Sequence, residues 1–484
     1  MNIVDPIVFQ AKMNPDGPAI CVPGTAVETI TYGRLVRWMN NVGRMALARG
    51  LAPGNLVALS IKDKIFHAAI ILGLTRLGIV TVSGRNQKLP RELPVRAVIA
   101  DGLHPLGDLN TIVADPTWTM GDGRPLEDER AYRSGGEDIC RIILTSGTTG
   151  GAKAVAFSHG MLAQRIAHYD FAKGNRFSHA SRLYCDLGIG TAPGFRYMLY
   201  MLWKGGAIYF YGEDPESTLQ AFDLHKIQNM VASPHGLAEY VKFYDTHSAF
   251  QCGFDHIISS GGLLSKQLAE RIRARMCANL FSSYGATEAG TVAFAPAQLI
   301  AGIPGAVGYI VPGVSVEIVN DSDQIYPIGK EGVVRIRSPN LVDGYMGSPE
   351  QSAKSFRHGC FYPGDIGYLT TDRMLVISGR EETRLNLGGD KVNPEIIEEA
   401  IISFGSIQEA AVFSTPNELG IEEVFAVIVS PASVDGAELR AHCEKTLPDA
   451  FVPVRFIPVD RLPRSEMGKI ERHLLPELAK SKLH

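Results

Sequence analysis

The stretch from Ile142 to Phe157 constrains this chain more than any other. Two apolar runs, Ile142-Ile143-Leu144 and Ala154-Val155-Ala156-Phe157, flank Thr145-Ser146-Gly147-Thr148-Thr149-Gly150-Gly151-Ala152-Lys153. The runs predict strands. The middle cannot pack a core, and its glycines let the main chain approach a ligand closely. Its N–H groups, the hydroxyls of Thr145, Ser146, Thr148 and Thr149, and the Lys153 ammonium form a donor-rich, positive loop suited to phosphate. A plain hairpin loop is the other reading, but turns rarely need four hydroxyls and a lysine. The Walker pattern is excluded, because it places its lysine and hydroxyl at the start of a helix. Here the chain continues after Lys153 as a strand, so the loop itself must hold the anion.

At 484 residues the chain is long enough for two or three domains. Its hydrophobic share of 45% and charged share of 20% suit a globular enzyme. A net charge of −4 gives no reason to expect nucleic acid as a partner. The seven cysteines contain no CxxC pair, which fits reduced thiols and a cytoplasmic location. No signal peptide is evident, and no apolar run is long enough for a membrane span. Ser481-Lys482-Leu483 is read as a chance tripeptide, since His484 displaces it from the terminus.

Taken in order, residues 19–23, 55–61 and 79–82 read as strands. Between the first two, Leu35, Met39, Val42 and Leu47 predict a helix from Tyr32 to Arg49, with Thr31 as N-cap. A second helix is expected over 64–77. This alternation means a layered α/β domain. Residues 102–138 read as loop-dominated. Beyond the opening stretch come a helix at 160–173, an apolar and aromatic segment at 182–212 ending in a strand, and a helix at 217–226. Strands follow at 230–233, 256–258 and 280–283, with a helix over 265–277. From about residue 300, short β segments at 314–319, 332–337 and 374–378 suggest a β subdomain. Asn393-Pro394-Glu395 reads as a helix start with Asn393 as cap. Strands at 409–413, 423–429 and 455–459 and a helix at 436–446 complete a second alternation.

Four further stretches carry chemistry. Tyr284-Gly285-Ala286-Thr287-Glu288 is either a strand end and turn, or an aromatic face for a base, a hydroxyl for phosphate and a carboxylate for Mg2+. Asp365 in Tyr362-Pro363-Gly364-Asp365 is either a turn residue or an acceptor for two ribose hydroxyls. Gly379-Arg380-Glu381-Glu382-Thr383-Arg384 and Pro463-Arg464-Ser465-Glu466-Met467-Gly468-Lys469-Ile470 read singly as solvated segments.

Their order and spacing resemble one family, the adenylate-forming superfamily of acyl-CoA synthetases, peptide-synthetase adenylation domains and luciferases. The resemblance covers residues 30–475 and is closest to acyl- or aryl-CoA ligases. It implies an α/β fold: residues 1–379 as a large ATP- and acyl-binding domain of layered sheets plus a β subdomain, and 380–484 as a small mobile α+β domain. It also implies a two-step ligase that uses ATP, Mg2+ and coenzyme A. In such an enzyme a small carboxylic acid attacks the α-phosphorus of ATP, and a thiol then displaces AMP. Thr145, Ser146, Gly147, Thr148, Thr149, Gly150 and Lys153 would hold the β- and γ-phosphates. Gly261 and Gly262 would lie along adenine and the acyl group. Tyr284, with Gly285 and Ala286, would meet adenine, Thr287 the α-phosphate and Glu288 the Mg2+. Asp365 and Arg380 would hold the ribose. Lys469 would reach both the carboxylate and the α-phosphate. Glu382 would be the hinge, where Asp or Lys is usual, and Gly388 and Gly389 would line the thiol tunnel.

The acyl pocket departs from the family pattern. An aromatic-His pair common in acyl-CoA synthetases is missing from 184–195, where glycine-rich chain around Gly190 takes the place of the His. Ala192 stands where amino-acid activators carry an amine-binding Asp, which disfavours an α-amino acid. Asp186 reads as a turn residue or a pocket charge. Arg196 reads as a helix-surface residue or as a partner for a second carboxylate. Arg335, Arg337, Arg357 and Lys391 are candidates for the CoA phosphates. An apolar or aromatic monocarboxylic acid is the default. Loading of a separate carrier protein, or a non-catalytic binding role, are the alternatives. A homodimer stays open.

Overall fold

The computed structural model describes residues 1–22, 28–84, 89–102, 110–125, 134–145, 152–172, 174, 181–210, 215–246, 253–387, 390–417, 422–465 and 468–483. Ser146–Gly151, Gly388 and Gly389 therefore lie outside the described residues. Packing divides the chain into one unit of Met1–Val316 with Ile336–Phe361, and another of Glu317–Arg335 with Tyr362–His484.

Local signals explain the helices of the first unit. Thr31 caps Tyr32–Ala48 by accepting from the Arg34 N–H, and Asp63 caps Lys64–Arg76 by accepting from Phe66. These two helices approach closely at Gly73, where a Cβ would sit 2.7 Å from Val42. Any larger residue there would force them apart. Thr191 caps Ala192–Lys204, which ends at Gly205 in the left-handed region with φ 78°. The sequence showed residues 182–212 only as an apolar segment. The structure separates it into the strand Arg182–Cys185 and that helix. Tyr197, Met198, Leu199, Tyr200, Met201 and Leu202 are all buried, so no polar stripe marks a helical period. The helix Pro234–Thr246 also went unread.

Two sheets organise this unit. One has six strands in the order Thr111–Val113, Val95–Ala100, Leu56–Ser60, Val80–Ser83, Ile139–Thr145, Lys153–Ser158. The first five are parallel and the last is antiparallel. The other runs through Glu28–Thr31, Pro18–Val22, Ala207–Phe210, Arg182–Cys185, Asn229–Ala232, His256–Ser260, Leu280–Ala286, Gly290–Pro296 and Ala306–Ile310. It is parallel from Pro18–Val22 to Leu280–Ala286, then turns antiparallel. One face packs an aromatic cluster of Tyr184, Tyr209, Phe222, Tyr240, Tyr244 and Phe254.

In the second unit Asp365–Leu369 pairs antiparallel with Met374–Arg380. A hairpin of Leu385–Leu387 and Asp390–Val392, the helix Pro394–Ile402 and a three-stranded sheet of Glu409–Pro416, Glu422–Val429 and Arg455–Pro458 follow. Asn393 makes no side-chain cap, contrary to the sequence expectation. Its amide instead donates to the Ser378 carbonyl at 2.7 Å and accepts from Arg384 Nε at 2.8 Å. Those long-range partners outcompete the local N–H groups. Six cysteines among the described residues are buried free thiols. No helix among the described residues is long and apolar enough to cross a membrane.

His159 opens the helix His159–Ala172, is fully buried, and accepts from the Ile3 N–H through Nδ1 at 3.0 Å. Burial lowers its pKa to about 4, with Asp138 opposing. The unfolded side chain takes a proton near pH 6.5, so the unfolded state binds more protons between 4 and 6.5. Stability therefore falls as pH drops through that window, by up to ~3 kcal/mol. His159→Asn, which keeps an acceptor but cannot titrate, is expected to flatten that part of the pH dependence in urea unfolding at pH 7 and 5.

Candidate active site

The opening stretch folds as an antiparallel hairpin. Thr145 and Lys153 face each other across it, and the Thr145 hydroxyl lies 3.5 Å from the Lys153 carbonyl. The Lys153 strand is stitched on its free side to residue 346, whose N–H donates to the Ala154 carbonyl at 2.8 Å. That bond places the Tyr345 ring under the ammonium, with Lys153 Nζ 4.9 Å from the ring centroid. The Tyr345 hydroxyl donates to Glu288 Oε1 at 2.9 Å. One aromatic side chain thus links the lysine of the phosphate loop to the carboxylate expected to take Mg2+. The sequence did not single out Tyr345. Its signal is the run Gly344-Tyr345-Met346-Gly347, whose glycines hold φ of 155° and 72°.

Tyr284, Gly285, Ala286, Thr287 and Glu288 close a second hairpin, between Leu280–Ala286 and Gly290–Pro296. Gly285 is obligatory, because a Cβ there would lie 2.2 Å from the Gly290 carbonyl oxygen. Arg165, on the helix His159–Ala172, braces this turn. It donates to the carbonyls of Thr287 at 2.8 Å and Glu288 at 3.0 Å, and to that of Asn340. Burial, then the neighbouring Arg196 charge, lower its pKa to about 9, and Glu288 offsets them. A cation at a helix position flanked by buried Leu162, Ile166 and Tyr169 was the available signal. Gly261 and Gly262 follow the strand His256–Ser260, and Gly261 takes φ 96°.

The second unit holds the other candidates. Asp365 and Arg380 are cross-strand partners, with Arg380 Nε 3.1 Å from Asp365 Oδ1. Arg380 also donates to the Pro363 carbonyl. Glu382 is exposed in a short 3-10 turn, Glu381–Thr383. Lys469 is exposed on a tight loop. Its carbonyl accepts from the Ser465 N–H at 2.9 Å, and Arg464 holds the Gly468 carbonyl at 2.6 Å while pairing with Glu409. Three residues on, Arg472 pairs with Glu398 and Glu395. Burial alone would lower its pKa, but the two carboxylates hold it above the ordinary value.

Three other expectations change. Arg196 is not a surface residue; it is half-buried and packed on the rings of Tyr169 and Tyr197. Asp186 is half-buried and accepts from the Tyr184 hydroxyl at 3.1 Å, and desolvation raises its pKa. Arg335 is committed to Glu317 at 2.7 Å and is poorly placed to take a CoA phosphate. Among the described residues no three His, Cys, Asp or Glu side chains gather as a metal cage. Glu288 fits Mg2+ nonetheless. Mg2+ keeps most of its waters and takes one or two carboxylates plus substrate phosphates, and Glu288 spends only Oε1 on Tyr345.

A layered α/β unit that carries Lys153 and Glu288, and a second, smaller unit that carries Lys469, agree with the layout expected of an AMP-forming ligase. A model described as AMP-binding enzyme matches residues 8–346, and one for the AMP-binding enzyme C-terminal domain matches 396–469. The chain belongs to the AMP-binding enzyme family, within the adenylate-forming superfamily. It is 29% identical to a 3-hydroxybenzoate–CoA ligase of Aromatoleum sp. (strain CIB), covering 99% of this chain and 97% of that one. It is 26% identical to gramicidin S synthase 2 of Brevibacillus brevis, over 93% of this chain but only 10% of that protein. Its fold matches ATP-bound MatB from Rhodopseudomonas palustris with a TM-score of 0.81 and 25% identity, over 99% of each chain.

Removing the Tyr345 hydroxyl leaves the ring under Lys153 but takes a hydrogen bond from a buried carboxylate, worth ~1.5–3 kcal/mol. Tyr345→Phe is expected to slow ATP–pyrophosphate exchange about 10-fold or more and to raise the Mg2+ concentration needed for half-maximal rate. An unchanged Mg2+ dependence would show that Tyr345 serves packing alone.

Proposed function

We propose that this enzyme activates a carboxylic acid as its acyl-adenylate and then transfers the acyl group to coenzyme A. The observation that carries this reading is the Lys153–Tyr345–Glu288 connection, which joins a phosphate-binding cation to a Mg2+-binding carboxylate within one unit. The CoA ligase among its relatives supports CoA as acceptor.

In the first step the acid's carboxylate oxygen bonds to the α-phosphorus of ATP, and the bond from that phosphorus to the β-phosphate bridging oxygen breaks. Pyrophosphate leaves with the electron pair. Lys153 and the loop Thr145, Ser146, Gly147, Thr148, Thr149 and Gly150 hold the departing phosphates. Thr287 contacts the α-phosphate. Glu288 would hold Mg2+, which would supply positive charge to the phosphates. Tyr284, Gly285, Ala286, Gly261 and Gly262 form the adenine and acyl walls, and Asp365 with Arg380 holds the ribose. Lys469 neutralises charge shared between carboxylate and α-phosphate. In the second step the thiol sulfur attacks the acyl carbon and AMP departs. Residues 380–484 turn about Glu382 between the steps, and Gly388 with Gly389 admits the pantetheine arm.

An acid panel in ATP–pyrophosphate exchange, followed by thioester detection with CoA or a carrier protein, tests the whole reading. No exchange with any acid leaves only a binding protein; thioester on carrier protein alone moves the acceptor away from CoA. Lys469→Ala is expected to abolish exchange while thioester formation from supplied acyl-adenylate stays largely intact. A comparable loss in both half-reactions would remove Lys469 from the first step.

A further inference from the structure

Three arginines surround the start of the helix Ala192–Lys204, and their surroundings differ. Arg165 is buried and donates to three carbonyls. Arg141 is fully buried, donates to the hydroxyls of Thr81 and Ser83, and lies 5.2 Å from the Phe195 ring centroid. No solute reaches either as the protein stands. Arg196 is only half-buried. It donates to the Thr291 hydroxyl at 3.2 Å and to the Tyr197 hydroxyl, and stacks on Tyr169 and Tyr197 at 4.7 and 5.2 Å from the ring centroids. Its Nε is closed off from solvent without an acceptor.

Among the described residues no carboxylate pairs with Arg196. Asp170 is spent on Tyr200 and Lys204. Asp186 is held by Tyr184, with Lys64 and His235 as its charged neighbours. Glu288 accepts from Tyr345 and faces Arg165. A guanidinium over the rings of Tyr169 and Tyr197, with only neutral oxygens as acceptors, still lacks the planar carboxylate its fork matches. Its position is also informative. Thr291 pairs with Gly285 across the hairpin that carries Thr287 and Glu288. Ala192 lies four residues before Arg196, on the same helix face. The face therefore presents a methyl group and then a cation, with no anion to receive an ammonium.

We propose that Arg196 with Thr291 forms a subsite for a second carboxylate on the substrate, so that the preferred acids are dicarboxylic. This rests on the acid-activating function proposed above and departs from the apolar monocarboxylic default. One carboxylate is adenylated while the other ends on the Arg196 guanidinium.

The test is ATP–pyrophosphate exchange with aliphatic and aromatic dicarboxylic acids, their monomethyl esters and matched monocarboxylic acids. Wild-type enzyme is expected to favour a diacid over its monoester by about 10²-fold in kcat/KM. Arg196→Met should erase that preference, Arg196→Lys should keep part of it, and Arg196→Glu should turn it towards acids with a distal ammonium. Thermal unfolding of all three variants checks that they fold; if Arg196→Met does not, the lysine and glutamate variants still decide. Equal use of diacids and monoesters by wild type overturns the subsite and leaves the ligase reading intact. A raised KM for ATP with unchanged acid ranking also overturns it, by moving Arg196 to a phosphate. Absence of exchange with every acid overturns the ligase reading and the subsite with it.

Discussion

The bond from the Met346 N–H to the Ala154 carbonyl is the contact on which the edge strand Lys153–Ser158 depends. A parallel sheet that ends in an antiparallel strand presents an edge, and an edge needs cover. Here the cover is a short segment between two glycines, and it brings its own aromatic side chain. Once residue 346 pairs with the edge, Tyr345 must lie against Lys153, and its hydroxyl reaches Glu288. Edge protection and the spacing of two functional charges are therefore one interaction. A residue without a ring would lose the cation–π contact, and one without a hydroxyl would leave the buried carboxylate a donor short.

The same economy governs the buried cations. A dry guanidinium is costly unless its N–H groups find oxygens. Arg165 meets this with main-chain carbonyls at the 287–288 turn and at Asn340, so its burial fixes the backbone that presents Thr287 and Glu288. Arg472 meets it with two carboxylates from the helix Pro394–Ile402, one of which also accepts from the Val412 N–H at 2.8 Å. In both cases the charge is spent on holding chain together. Arg196 differs because it is half-buried rather than sealed in, and its partners are neutral hydroxyls and rings that orient the cation without neutralising it.

Much of this was legible because local chemistry and final structure agree. The caps at Thr31 and the strands Ala207–Phe210 and Gly332–Arg337 come straight from residue pattern. The Ser146–Gly151 loop and Gly388–Gly389 carry their meaning in sequence alone, since they fall outside the described residues. What escaped the sequence has two physical causes. Where an element is buried on every side, as in Ala192–Lys204, periodicity disappears. Where a residue acts through partners far along the chain, as Arg165 does across 122 residues to Thr287, no window of sequence contains the interaction. Asn393 combines a correct signal with a wrong partner, because its cap chemistry was diverted to Ser378 and Arg384.

The described residues of the loop that carries Lys469 are held by bonds from several sides. Ser465 and Lys469 close it on itself, Arg464 clamps Gly468 and anchors to Glu409, and the chain then runs into Arg472 and its two carboxylates. Gly468 takes φ 73°, a conformation that other side chains rarely adopt, so the turn is set by backbone as well as by contacts. The main chain at Lys469 therefore keeps a fixed place relative to Glu409, Glu395 and Glu398, so its ammonium moves either through its own side-chain torsions or with all of these residues together.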